Sequence, residues 1–401
     1  MRQRPLALAA VALLLTTGVP NAVPAARPVS AAPQTEAARA EEEAAVKLFL
    51  ETFRAVRTSY VDPVPAQELA EAAARAMVQQ DRWSTYLSTG QYEETRLKRD
   101  GAMVGLGLTY TRSDAGLAVT SIVEGSPAAG AGLQAGDLIT AVDGVPAGGM
   151  DQETATKALK GPRGSTVRLL VERGGTDARQ AVSMTLARDL LTLQSVEYKA
   201  MDDVGYVRIA RFDRQTYPGV TRAVETLRKE KGAMLRGLIL DLRGNPGGLV
   251  KAAVDTADAF LEGGVILRQE LRAGAEGPTE HAHKGDVAGG LPLVLLVDSK
   301  SASAAEILAG ALQDNRRAVL VGQRTYGKGV IQSFLPVHDG GAIKLTTARY
   351  RTPEGHPVDQ VGISPDHQVA MPDPAGGASA QAEAGADPQL ALALSLLRTG
   401  A

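Results

Sequence analysis

The chain has no cysteine, so disulfides, thiol catalysis, cysteine-ligated zinc and a lipid-modified cysteine behind an export signal are all excluded. Histidine is sparse. The five residues (His281, His283, His338, His356, His367) are scattered over loop-like sequence, and His281-Ala-His283 has no carboxylate at ligand spacing. No metal or other cofactor is called for. Neither sign of charge dominates: the formal net charge is −2, which gives no argument for nucleic acid or an anionic surface as partner. Long apolar runs are missing as well. The longest, Leu6 to Leu15, is too short to span a bilayer comfortably.

That run follows Arg2 and Arg4 and precedes small residues, so residues 1–33 read as an export signal cleaved after Ala25 or Ala31. The working compartment is then extracytoplasmic, periplasmic or secreted. Left uncleaved, the same segment would anchor the chain, and it is the sole route to a membrane. At 401 residues the chain is long for one core, and two to three domains are expected.

Residues 36–100 have helical texture. Val46, Phe49, Leu50, Phe53, Val56 and Tyr60 recur at three- and four-residue steps, Pro63 and Pro65 interrupt, and a second helix is predicted from Ala66 to Gln80. This arm has little material for its own core, so it is expected to pack on later domains or on a second copy of itself in a homodimer.

From Gly101 the pattern changes to short β-branched runs punctuated by glycine. Val104–Tyr110 and Leu117–Val123 read as strands, Ser126-Pro127 as an N-cap with proline in the first turn, Leu138–Val142 as a strand and Asp143-Gly144 as a hairpin turn. A helix at Gln152–Leu159 and two further strands follow. Residues 101–188 resemble a PDZ domain. That resemblance implies that the loop Gly105-Leu106-Gly107-Leu108 presents backbone N–H groups to the terminal carboxylate of a peptide. Taken alone, the same glycines would read as a strand bulge.

From 189 to 370 strands and helices alternate as in an α/β domain with a mixed sheet. Residues 371–388 read as a linker rich in Ala, Gly and Pro, and 389–401 as a closing helix. Ser303 falls just before the predicted helix Ala304–Gln313, where free N–H groups and the helix dipole favour developing negative charge. An isolated serine there is an ordinary N-cap. Lys328 lies 25 positions later between Gly327 and Gly329. To act as a base it must lose a proton held with a reference pKa of about 10.4. Burial can lower that by about 3–5 pH units. Gln332 could hold the amine without adding charge.

Gly322-Gln-Arg-Thr-Tyr-Gly-Lys328 also fits the phosphate-loop pattern. Gly329 stands where a magnesium-binding Ser or Thr would be needed, however, and Val330–Leu335 reads as a strand instead of a helix. Nucleotide binding is rejected on those grounds. Asp241-Leu-Arg-Gly-Asn-Pro-Gly-Gly248 leads from a buried strand into paired glycines before a helix, a turn whose N–H groups can face an oxyanion.

Together, Asp241–Gly248, Ser301-Ala-Ser-Ala304 and Gly327-Lys-Gly-x-x-Gln332 resemble the carboxyl-terminal processing (tail-specific) serine proteases. Trp83-Ser-Thr-Tyr-Leu-Ser88, Tyr350-x-Thr-Pro353 and Asp387-Pro-Gln-Leu390 fall where that family's patterns place them. The resemblance implies a multidomain α/β protein with a helical N-terminal arm, a β-rich PDZ domain and a ClpP/crotonase-like core. It further implies Ser303 as nucleophile, Lys328 as general base, Gln332 as the residue orienting it, and the N–H of Ala304 with that of Gly247 or Gly248 as oxyanion hole. The expected substrates are proteins or peptides with free C-termini. Position 305 departs from the family's serine, being Ala305. The competing reading is a non-catalytic PDZ-containing peptide- or ligand-binding protein on the same fold. It is disfavoured because both Ser303 and Lys328 are present.

Overall fold

The computed structural model describes residues 35–174, 180–371 and 387–399. The expected export signal and almost all of the expected linker lie outside the described residues. The chain divides into two units, Met1–Ala76 and Met77–Ala401. In the first, helix α1 (Glu36–Ser59) begins at Thr35, whose hydroxyl accepts the N–H of Ala38 (3.3 Å), and buries no side chain. Helix α2 (Ala66–Val78) starts one residue after Pro65 and ends across the boundary between the units. No helix among the described residues is long and apolar enough to cross a membrane.

In the second unit, the strand Thr85–Leu87 and helix α3 (Thr89–Arg99) lead into an antiparallel sheet. Its order is 108–113, 116–122, 138–142, 166–173, 180–187, with 145–146 beside 138–142. Strand 108–113 is an edge. Helix α4 (Pro127–Gly130) is capped by Ser126, and helix α5 (Gln152–Leu159) by Asp151, which accepts the N–H of Thr154 (2.7 Å). Leu117, Ile139, Leu169 and Val171 fill the core of this sheet with no exposure. The expected single strand Val104–Tyr110 is two, 102–105 and 108–113. Gly107 at φ 78° turns the chain between them, and 102–105 pairs with 189–192 instead.

The larger core is a six-stranded sheet. Strand 196–201 runs antiparallel to 204–209, and 237–241, 293–297, 318–322 and 367–368 follow in parallel. Helices α6 (Thr216–Lys231), α7 (Val250–Asp258) and α8 (Ala304–Asp314) cover one face, burying Leu238, Leu240, Leu293 and Leu295. Helix α9 (Pro388–Thr399) covers the other, packing Leu390, Ala393 and Leu397 on Ile239, Val294 and Leu296. Burial on both faces is why these strands are continuously apolar in sequence. Truncating one such leucine to alanine costs about 2–5 kcal/mol. A second sheet joins 85–87, 330–336, 342–351, 265–270 and 276–281, all antiparallel.

Candidate active site

Two loops at the C-terminal ends of neighbouring parallel strands are locked together. After strand 237–241, Asn245 donates from its amide to Ile209 O (2.8 Å), accepts the N–H of Gly247 on its side-chain oxygen (2.8 Å), and accepts the N–H of Ala302 on its main-chain oxygen (2.9 Å). After strand 293–297, Asp298 accepts the N–H of Gly244 (2.9 Å). The Ser301 hydroxyl, fully buried, donates to Leu242 O (2.8 Å). Ser301 is thereby committed to bracing one loop on the other.

Ser303 is half-buried at the start of α8, with φ 56° and ψ −115°. This is a costly conformation for a residue with a Cβ, on the order of 1–3 kcal/mol, so its surroundings must hold it. The chief holder is Glu306, almost without exposure. One carboxylate oxygen accepts the N–H groups of Ser303 (2.7 Å) and Lys328 (2.9 Å). The other accepts the hydroxyl of Thr325 (2.5 Å) and the N–H of Gly327 (2.7 Å). Burial pushes this carboxyl above the usual range, opposed by those four hydrogen bonds. Tyr350 adds a second tie: its buried hydroxyl lies 3.0 Å from both Ser303 O and Lys328 O, sharing its proton between them.

Gly247 is the point of closest approach. A Cβ there would lie 2.7 Å from Ala302 O and 2.8 Å from Ser303 Cβ, and its φ is 96°. Its N–H is spent on Asn245. The N–H groups of Gly248 and Ala304, by contrast, have no protein acceptor among the described residues. Of the two glycine alternatives, Gly248 is the one with a free donor, and it is exposed.

The main chain of Lys328 is therefore tied to that of Ser303 through Glu306, while its amine meets an aromatic ring. Lys328 Nζ lies 4.4 Å from the centroid of the Trp83 ring, and no hydrogen bond joins it to Ser303 Oγ among the described residues. Burial, then the like charge of Lys344, lowers its pKa from 10.5 to about 8, with Asp81 and Glu306 opposing. Gln332, expected to orient the amine, donates instead to the main-chain oxygen of Trp83 (2.6 Å).

The loop Gly105–Leu108 lies apart from these groups, at the start of edge strand 108–113. Leu106 is buried with its oxygen accepting the N–H of Ala128 (2.8 Å), while Gly107 O accepts that of Val123 (2.8 Å). The N–H groups of Leu106 and Gly107 have no protein acceptor among the described residues. Helix α5 flanks the strand, since Tyr110 OH meets Gln152 Nε2 at 3.0 Å and Thr156 Oγ1 at 3.2 Å.

Sequence reasoning gave no role to Glu306, Tyr350, Thr325, Lys344 or Trp83. One signal was available: a serine followed three residues later by glutamate before an apolar helix is an N-terminal signature. Glu306 occupies that place, accepting the N–H of Ser303.

Residues 203–369 match the model of peptidase family S41, and 118–173 match that of the PDZ domain. A carboxy-terminal-processing protease of Bartonella bacilliformis is 36% identical over 328 residues, spanning 81% of this chain and 75% of the relative. A carboxyl-terminal-processing protease of Synechocystis is 36% identical over 353 residues, 81% of each chain. Among solved structures, the photosystem II D1 C-terminal processing protease superposes with a TM-score of 0.50 at 30% identity, covering 81% of this chain and 94% of the other.

Proposed function

The chain belongs to peptidase family S41, among the carboxyl-terminal-processing proteases, and from that premise we propose how its own residues divide the work. It is a serine endopeptidase acting on the C-terminal tails of proteins. Ser303 is the nucleophile and Lys328 the general base. The observation that carries this assignment is the single buried carboxylate of Glu306, which holds the N–H groups of both residues within 3 Å although they are 25 positions apart.

The cycle follows from those groups. A tail enters as an added strand along the open edge of 108–113, its carboxylate received by the N–H groups of Leu106 and Gly107 in the loop 105–108. Further up the substrate, the neutral amine of Lys328 takes the proton of Ser303 as Oγ attacks the scissile carbonyl. Negative charge on the carbonyl oxygen meets the N–H groups of Ala304 and Gly248 at the positive end of α8. Lys328 then passes its proton to the departing amine, and water hydrolyses the acyl-enzyme by the same route. Gln332 leaves the Trp83 carbonyl to steady the amine once it turns to Ser303.

The segment 1–33 exports the chain, supported by its basic start and short apolar run. The apolar side of α1, with Val46 53%, Phe49 40% and Leu50 41% exposed, supports a homodimer through the N-terminal helices.

Cleavage of a tail peptide by wild type, Ser303→Ala and Lys328→Ala tests the assignment, with thermal melts to check folding. Both variants should be inactive and folded. Near-full activity in folded Lys328→Ala would overturn the base.

A further inference from the structure

We infer that Trp83 is a positioning residue for Lys328, parking the charged amine on its indole face and releasing it to Ser303 once the proton has gone to water. This rests on Lys328 being the base.

Four observations carry it. Lys328 Nζ sits 4.4 Å from the ring centroid and has no hydrogen bond or ion pair among the described residues, so the ring face is in direct contact with a charge that Asp81 and Glu306 attract from farther off. An ammonium is drawn to an aromatic face and a neutral amine is not, so the contact discriminates by proton state. The ring is held in place independently of the lysine. Asp81 Oδ1 accepts the N–H groups of Trp83 (2.8 Å) and Ser84 (2.6 Å), Ser84 Oγ accepts the N–H of Thr346 (3.0 Å), and Tyr326 meets the indole edge-on at 6.0 Å. Finally, the residue expected to steady the amine is engaged on the same residue: Gln332 Nε2 donates to Trp83 O at 2.6 Å. The amine and the side chain expected to steady it thus both meet one residue, and neither is hydrogen-bonded to Ser303 among the described residues.

The charges around the amine come from three elements. Lys344 on strand 342–351 opposes the protonated form, while Asp81 before strand 85–87 and Glu306 on α8 favour it. Arg82, beside Asp81 in the chain, sets its guanidinium over the same indole, 4.5 Å from the Trp83 centroid and 5.9 Å from that of Tyr326. Arginine keeps its charge throughout the working pH range, so it does not contribute a titration of its own. Losing its proton removes the attraction of Lys328 to the ring and turns the amine into a hydrogen-bond acceptor for the Ser303 hydroxyl.

The experiment uses the full chain and its only tryptophan. Indole fluorescence is followed against pH in wild type, Lys328→Met and Lys344→Met, and kcat/KM on a free-tailed peptide in these and in Trp83→Phe and Trp83→Leu. In wild type the fluorescence should titrate with the midpoint of the acid limb of kcat/KM. That titration should vanish in Lys328→Met and persist at a higher midpoint in Lys344→Met, where a like charge has been removed. Trp83→Leu removes a stabiliser of the charged amine, so its acid limb should move down by about half to one pH unit. On the acid side it should therefore outpace wild type about 3- to 10-fold, with Trp83→Phe in between. A merely structural tryptophan would lower the rate without moving the limb. An unmoved limb in folded Trp83→Leu, or a fluorescence titration that survives Lys328→Met, overturns the inference. Should Trp83→Leu fail to fold, the wild-type and Lys328→Met fluorescence curves decide alone. Activity remaining in Lys328→Met would instead overturn the base assignment itself, so the two failures are distinguishable.

Discussion

The loops 105–108 and 241–248 use the same device, a glycine at positive φ before a helix or strand with N–H groups left without a protein acceptor. They differ in what holds them. The first is supported mostly by main-chain bonds to Ala128 and Val123. The second is fixed by the side chains of Asn245, Asp298 and Ser301, with Asp241 paired to Arg243 behind it (2.7 Å). Holding a carboxylate that is already charged needs donors and little more. Stabilising a charge that exists only in the transition state needs donors fixed beforehand, because reorientation would consume the gain.

The sharpest test of that contrast is Gly248→Ala. With φ 147° and Phe212 O only 1.9 Å from an added Cβ, the turn must move. We expect kcat to fall about 10²–10³-fold, with tail-peptide binding retained when measured by anisotropy on the Ser303→Ala background. Gly107→Ala should do the opposite. Its Cβ would meet Ser126 Cβ at 2.1 Å, so KM for a free-tailed peptide should rise roughly 10-fold or more with kcat preserved. Amidating the peptide's C-terminus should raise KM similarly, and adding Gly107→Ala to it should cost little more, since both remove one interaction. If the two glycine variants behaved alike, the division between the loops would be wrong.

A smaller effect concerns the brace itself. Glu306→Gln leaves donors facing an NH2 group and should lower stability by on the order of 2–4 kcal/mol, read from the urea midpoint. Smaller still, and of opposite sign, is Lys328→Met. The folded pKa of Lys328 is depressed to about 8, so the unfolded chain holds more protons between pH 8 and 10.5 and wild-type stability rises with pH across that window. Below pH 8 the full penalty applies. Removing the lysine should then stabilise the protein by about 1–2 kcal/mol at neutral pH, after allowing for solvent screening at the half-buried amine. The gain should fade toward pH 10. With Lys328 as the proposed base, wild-type activity should rise as pH passes about 8, read from a pH–rate profile.

Legibility followed the physics of burial. Strands 204–209 and 293–297 and helix α5 stand where periodicity and capping residues put them, because local pattern and tertiary packing agree. Strand 276–281, with Glu276, Thr279 and Glu280, has no apolar alternation to announce it, and 85–87 is too short to show any. At the site, Ser303, Lys328 and the Asp241–Gly248 loop could be picked out by motif. The choice of Gly248 over Gly247 could not, because it depends on which N–H Asn245 consumes. Nor could the location of the Lys328 amine and of Gln332. Both meet Trp83 across about 250 positions of chain, a separation on which no local pattern bears.

Glu306 finally has a consequence for how the site holds together. One carboxylate, with the Tyr350 hydroxyl beside it, ties the serine turn to the lysine loop. Losing that carboxylate removes one hydrogen-bond acceptor from each segment at the same moment. The geometry of the proposed nucleophile and that of the proposed base therefore share one anchor, so whatever disturbs Glu306 disturbs both together.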